Sequence, residues 1–279
     1  MLPSINCNGR LLSLEKPLIM GILNYTEDSF YDGAYYFGDK KKYLARVETM
    51  LMEQADIIDI GVMSTRPTAI DLSEEEELKR IREVVSEVVK HFPTAIISVD
   101  TWRASVARLA VDLGACIIND ISAGEFDQTM FTTVATLKVP YIMMHTSGKP
   151  AVMQQHTTYN DVIKDIFYYL SQRLQTLYSL NVSDVIIDVG FGFGKTIEQN
   201  YELLRHIETF KMLDCPVLVA VSRKSMFWKL LHITPQEALN ASTVAHTYAL
   251  LHQANILRVH DVKAAKEAIT IVDKILKND

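Results

Sequence analysis

The sequence predicts an α/β protein of the (β/α)8 barrel type, and three observations carry that expectation. Short apolar runs rich in Val and Ile alternate with amphipathic segments eight times along the chain. Continuous apolar strands between helical segments imply a parallel sheet covered by helices, and eight such units in roughly 250 residues is the barrel count. Polar residues stand at the C-terminal end of nearly every strand, the end at which such barrels keep their sites. A doubly wound open sheet is the alternative. No linker or low-complexity tract divides the 279 residues, so residues 1–279 are expected to form one barrel domain, with 1–16 as a short lead-in that suits a hairpin.

The elements follow in order. Leu18 to Leu23 is an apolar strand ending at Asn24, followed by a long loop rich in acids and turn residues that is expected to be mobile. Asp39 to Gln54 has helical spacing, with Tyr43, Val47 and Met50 on one face. Asp56 to Gly61 is the second strand. Ser73 and four glutamates then start a helix that runs to about His91, a cap followed by acids against the positive helix end. Thr94 to Thr101 is the third strand, and the helix from Arg103 to Leu113 stops at Gly114. Cys116 to Ser122 is the fourth strand, followed by a helix over Asp127 to Leu137. Pro140 to His145 is the fifth, followed by a helix from Tyr159 to Leu180. The sixth strand begins at Asp184 and ends at Asp188, with a helix from Ile197 to Phe210. Pro216 to Val221 is the seventh, followed by helices over Lys224 to Leu231 and Pro235 to Gln253. Ile256 to Val259 is the eighth, and Val262 to Lys277 closes the chain.

Composition narrows the class. A formal charge of -6 argues against nucleic acid as a partner. The cysteines Cys7, Cys116 and Cys215 have no metal-like spacing, and two of them lie in apolar runs that suit reduced core positions. Polar Asn6, Asn8 and Arg10 occupy the place where a signal peptide needs an apolar block. No apolar run approaches the roughly 20 residues of a membrane span. The expectation is therefore a cytoplasmic protein with no membrane partner.

The stretch DVIIDVGFGFGKT, Asp184 to Thr196, invites a phosphate-binding reading because G-x-x-x-x-G-K-[ST] is the P-loop pattern. It fails by one position: counting back from Gly194, the first glycine should fall on Val189, and it falls on Gly190. The glycines instead allow sharp turns and close approach to a ligand, and Thr196 is placed to cap the next helix.

Strand ends carry Asn24, Thr65 with Arg66, Asp100, Asn119, His145, Asp188, Ser222 with Arg223 and Lys224, and Arg258 with His260. One such residue is an ordinary cap or loop residue. So many together imply a polar ligand, because an unpartnered buried carboxylate is costly. Asp100, Asn119 and Asp188 suit the edge of a flat heterocycle bearing NH donors, Phe193 its face, and Lys224 a ring oxygen or nitrogen. Arg66, Arg258 and His260 form a cationic group suited to phosphate, and Asn24, Asp28 and Asp32 offer hard oxygens for Mg2+.

The ordered segments MGILNYTEDSFYDG, DIIDIGVMSTRP, SVDT, IINDIS, MMH, IIDVGFGFGKT, VSRKS and RVHD resemble the dihydropteroate synthase family over residues 17 to 278. The resemblance implies a (β/α)8 barrel that joins 6-hydroxymethyl-7,8-dihydropterin diphosphate to 4-aminobenzoate in folate synthesis. It implies that Asp100, Asn119, Asp188, Lys224, Met144 and Phe193 hold the pterin. Asn24, Thr65, Arg66, Arg258 and His260 would hold the diphosphate. Asp28, Phe30, Arg66, Pro67, Ser222, Arg223 and Lys224 would line the 4-aminobenzoate pocket. It implies Mg2+ on Asn24 and Asp32, catalytic roles for Asp100, Asp188, Lys224 and Arg258, and a homodimer through late helices.

The match departs from the family pattern at Glu27, Val62, Met63, Thr68, Val189 and Ala220. Val62, Met63, Thr68 and Glu27 cluster on two loops, so 4-aminobenzoate and sulfonamide binding are expected to differ from the family norm. A pterin-binding methyltransferase and a catalytically idle pterin-binding protein are the competing readings. The first would not need the STRP loop or Lys224, and turnover separates the second.

Overall fold

A computed structural model describes residues 4–27, 36–64 and 72–277. Eight parallel strands close on themselves in the order β10-β3-β4-β5-β6-β7-β8-β9. They are β3 (Leu18–Asn24), β4 (Ile57–Gly61), β5 (Ile96–Asp100), β6 (Ile117–Asp120), β7 (Tyr141–Met144), β8 (Val185–Asp188), β9 (Val217–Val219) and β10 (Ile256–Val259). Closure joins β10 to β3 with Leu257 opposite Ile19. This is the (β/α)8 barrel expected from the sequence, and the open-sheet alternative falls with the closure.

The lead-in is an antiparallel hairpin, β1 (Ser4–Cys7) and β2 (Arg10–Ser13). It plugs the N-terminal end of the barrel. Arg10 donates to the carbonyls of Thr94 and Pro93, and the Asn6 amide donates to Asp184, all residues that precede strands. Ile5, Cys7 and Leu14 pack into one cluster with Met20, Ile57, Ile117, Ile142, Ile186, Leu218 and Ile256.

That cluster fixes the inside of the barrel, because side chains alternate faces along a strand. The intervening residues, such as Ile19, Ile58, Ile97, Ile118 and Ile187, pack instead with the surrounding helices. Two residues beyond Ile57, Ile117, Ile142, Ile186 and Ile256, the same face carries Asp59 on β4, Asn119 on β6, Met144 on β7, Asp188 on β8 and Arg258 on β10. The lower barrel is an apolar plug and the upper barrel is polar, a consequence of period-two spacing.

The helices largely follow their expected spans. They are α1 (Lys40–Met52), α2 (Glu74–His91), α3 (Ala104–Asp112), α4 (Met130–Leu137), α5 (Val162–Ser179), α6 (Ile197–Arg205), α7 (Ser225–Leu231), α8 (Leu239–Leu251) and α9 (Val262–Leu276). Ser73 caps α2 as expected, and Thr196 caps α6 in a reciprocal box with Gln199. Three spans differ. The segment from Asp127 becomes α-helical only at Met130, because Asp127 accepts from the backbones of Ala104 and Thr129. The segment ending at Phe210 divides into α6 and a 3-10 stretch, Ile207–Leu213. The segment at Pro235 opens with a 3-10 turn before α8.

All three cysteines are buried free thiols. Among the described residues no helix is long and apolar enough to cross a membrane.

The loop after β8 lies flush on the loop after β7. Gly190 has φ +72, and a Cβ there would sit 1.9 Å from the His145 carbonyl oxygen. Gly190→Ala is expected to destabilise the fold by about 2–5 kcal/mol, read from denaturant unfolding. A loss below about 0.5 kcal/mol would contradict this close contact.

Candidate active site

Strand register assembles the site. Asn24, Gly61, Asp100 and Asn119 are successive partners across β3, β4, β5 and β6. Gly61 has no side chain, so the Asn24 and Asp100 oxygens face each other across it, 3.8 and 3.9 Å from where its Cβ would stand. On the far side of the barrel Met144 pairs with Asp188 in register.

A buried acid that sequence reasoning missed ties this row together. Asp59 is wholly inaccessible. One of its oxygens accepts from Arg258 Nε at 2.7 Å and from Asn119 Nδ2 at 3.2 Å. Arg258 Nη2 also reaches Asp100 at 3.0 Å, so two carboxylates share one guanidinium. The signal was present in the sequence: a charged residue inside the run IIDIG requires a buried partner. Among the described residues, the second Asp59 oxygen and the facing Ser98 hydroxyl have no hydrogen-bond partner.

Burial first, and then the shared guanidinium, sets the protonation states. Burial opposes the charge on Arg258, but Asp59 and Asp100 outweigh it and hold the guanidinium above its ordinary value. Burial pushes Asp100 up to about 7, with Arg258 pulling it down and Asp59 pushing it further up. Asp188 is also raised, by burial first, while Lys224 opposes the rise. Burial brings Lys224 down to about 8, against the pull of Asp188. Asp100, Asp188, Lys224 and Arg258 thus act on one another's charges across one rim.

The turn after β8 supplies one wall. Asp188 accepts from the Gly190 amide at 2.7 Å. Lys224 donates to the Phe191 carbonyl and stands 4.6 Å from the centre of the Phe193 ring. Phe193 packs with Met144, and that cluster adds Ile121, Trp102 and Met63, the first two unmarked by the sequence reading.

The remaining expected residues divide. Ser222 is at the rim, its hydroxyl accepting from the His260 amide and sharing a 3.2 Å contact with His260 Nδ1. Burial, reinforced by Arg258, lowers His260 to about 3, so its ring is neutral and the expected cationic group loses that member. Arg223, expected beside the 4-aminobenzoate pocket, adjoins Ser222 and has its guanidinium engaged by Asp261. It makes a two-pronged pair with Asp261 at 2.7 and 2.9 Å and donates to the carbonyls of Pro235 and Gln236. His145, expected at the rim, is buried against Lys195 and the rings of Tyr159 and Tyr169. Asp28, Phe30, Asp32, Thr65, Arg66, Pro67 and Thr68 lie outside the described residues. Of the departures from the family pattern, Met63 Sδ rests 3.7 Å from Arg103, and Glu27 pairs with Arg80 at 2.6 Å.

Such a rim, with alternating acceptors and donors on one side, an aromatic wall and a paired guanidinium, is that of a barrel enzyme for a flat, hydrogen-bonding heterocycle. A family model described as pterin binding enzyme matches residues 20–260. Dihydropteroate synthase of Haemophilus influenzae is 40% identical over 266 residues, covering 95% of this chain and 96% of that one. The Yersinia pestis dihydropteroate synthase, solved in complex with a sulfonamide drug, superimposes with a TM-score of 0.93 at 36% identity, covering 98% and 99% of the two chains. The Xanthomonas albilineans enzyme with 4-aminobenzoic acid gives 0.91 at 35% identity, covering both chains fully. The chain belongs to the pterin-binding enzyme family, among the dihydropteroate synthases.

Two outcomes test the electrostatics. Asp59→Ala leaves Arg258 without its closest counter-ion and is expected to cost about 3–5 kcal/mol, measured by denaturant unfolding. Asp100 binds its proton more tightly folded than unfolded. Its contribution is therefore complete below the ordinary carboxyl value and is lost as pH rises through 7. Asp100→Asn should gain stability relative to wild type between pH 4 and 7 and then level off. A pH-independent difference would show that Asp100 is ionised throughout.

Proposed function

We infer that this rim performs the dihydropteroate synthase reaction with the following division of labour. The reaction joins 6-hydroxymethyl-7,8-dihydropterin diphosphate to 4-aminobenzoate and yields 7,8-dihydropteroate and pyrophosphate in folate biosynthesis. Asp100, Asn119 and Asp188 hold the pterin edge, Lys224 meets a ring oxygen or nitrogen, and Phe193 with Met144 covers the ring face. The observation that carries this assignment is the convergence of Asp100, Asn119, Asp188, Lys224 and Arg258 on one rim beside an aromatic wall.

The diphosphate lies toward Arg258, with Asn24, His260, Thr65 and Arg66 as its further partners. Mg2+ suits this place, because two hard oxygens flank the side-chain-free Gly61 and Mg2+ takes few protein ligands plus phosphate oxygens. Asn24 and Asp32 would hold it, and when bound it neutralises charge on the leaving group. Arg258 adds a preorganised positive charge at the same end. The carbon–oxygen bond breaks with its electrons going to pyrophosphate. The positive charge left on the pterin methylene is delocalised into the ring beside Asp100 and Asp188. The arylamine nitrogen then bonds to that carbon and loses one proton.

The 4-aminobenzoate site is placed beside Ser222 and Lys224, with Asp28, Phe30, Arg66 and Pro67. Arg223 contributes there by fixing the neighbouring turn with its guanidinium, through the Pro235 and Gln236 carbonyls. Sulfonamides, which the Yersinia pestis relative binds, would compete for this place, with Met63 altering the fit. A homodimer is also part of this reading, supported by exposed Val244 and Leu251 on α8 and by Ile271 and Ile275 on α9. Three free thiols support a reducing, cytoplasmic setting.

Pyrophosphate release with both substrates and Mg2+ tests the assignment. Lys224→Ala is expected to lower kcat/KM at least about 100-fold, and chelating Mg2+ should stop release by the unmodified protein. Unchanged turnover by Lys224→Ala would remove that residue from the site.

A further inference from the structure

Lys195 is the one basic residue of the glycine-rich stretch that the reaction leaves without a role. It is 4% exposed, and its ammonium group sits among backbone and ring acceptors. Nζ donates to the Gly190 carbonyl at 2.8 Å and to the Phe193 carbonyl at 2.9 Å, and lies 3.0 Å from His145 Nδ1. Burial lowers both His145 and Lys195 well below their ordinary values, so the 3.0 Å contact joins two groups of which either can be the donor. With the His145 carbonyl a fourth neighbour at 3.4 Å, Nζ has no donor free for a ligand.

The same loop is gripped from its other side by Lys224, which donates to the Phe191 carbonyl and lies over the Phe193 ring. The contacts thus alternate along four residues: Gly190 and Phe193 turn their carbonyls inward to Lys195, and Phe191 turns its carbonyl to Lys224. Gly194 presses on the β7 loop, with its missing Cβ position 1.6 Å from Ser147 Oγ. Gln154 and Tyr159 hold the Gly192 and Gly194 carbonyls, so the Gly190, Phe191 and Phe193 carbonyls are the ones the two lysines fix.

We propose that Lys195 is a positioning residue for the pterin site: by holding the Gly190 and Phe193 carbonyls from beneath, it sets the Phe193 ring as the wall against which the pterin binds. The inference rests on the placement of the pterin against Phe193. It also explains a lysine buried where a methionine would pack at lower cost: an apolar chain would leave both carbonyls unpaired.

Steady-state kinetics on the full chain tests it, with both KM values measured. Lys195→Met should raise KM for the pterin diphosphate about 10-fold, with KM for 4-aminobenzoate changing less than about twofold. Lys195→Arg should recover part of the loss, because a guanidinium can still donate to the carbonyls. In a Phe193→Ala background, Lys195→Met should move the pterin KM by less than about twofold, since the wall it positions is gone. Equal rises in both KM values, additive effects in the double variant, or a lowered Tm with an unchanged pterin KM would each overturn the inference. If Lys195→Met does not fold, Lys195→Arg carries the comparison, with a smaller but still pterin-selective rise expected and equal rises overturning it. The underlying placement fails separately: an unchanged pterin KM in Phe193→Ala alone removes the wall itself, whatever Lys195 does.

Discussion

A carboxylate with no access to water, Asp59, is the constraint on which the rest of this barrel depends. Period-two alternation puts it on the inner face above Ile57, where an isolated charge would cost several kcal/mol. Arg258, 199 residues away, answers it at 2.7 Å. Asn119 and Asp100 join the same group. Barrel closure brings β10 back beside β3, one strand from β4, and without that closure Arg258 could not reach Asp59. Site geometry and fold closure are therefore one electrostatic fact seen from two scales.

The arrangement also leaves the rim poised near neutrality. One guanidinium cannot fully neutralise two carboxylates, and Asp59, the more deeply buried, makes the closer contact. Burial, with these charges around it, leaves Asp100 near 7, and burial brings Lys224 near 8. Neither group needs a large proton rearrangement to meet a heterocycle that both donates and accepts. The site accordingly presents fixed dipoles and nearly balanced charges, which preorganised electrostatic stabilisation requires.

Much of this was legible because strand ends announce themselves. Asn24, Asp100, Asn119 and Asp188 each terminate an apolar run, and the structure puts all four on the rim. What could not be read was direction and partnership. Asn119 and Asp120 are neighbours in sequence, yet Asp120 turns away from the barrel interior and is consumed by Ser122, Gly124 and the Tyr141 hydroxyl. Arg223 and Lys224 are likewise adjacent, yet one is spent on Asp261 and the other faces the rim. His260 looks cationic as a letter and is neutral in place, because burial beside Arg258 forbids a second positive charge. Each of these outcomes depends on packing between elements far apart in the chain, which spacing within one element does not encode.

The glycine-rich loop shows how the same residue types yield opposite chemistry. A P-loop turns its backbone N–H groups toward phosphate and extends its lysine to the same anion. Here the first glycine stands one position later and the loop bends onto the turn after β7. Its carbonyls, not its amides, converge, and they converge on the lysine itself. With Gly190, Phe193 and His145 around its Nζ, Lys195 has no proton left for a phosphate oxygen. Anion binding must then come from elsewhere on the rim, and among the described residues Arg258 is the cation whose position at the end of β10 suits it. A shift of one residue in the glycine spacing thus converts a phosphate cradle into a brace for an aromatic wall.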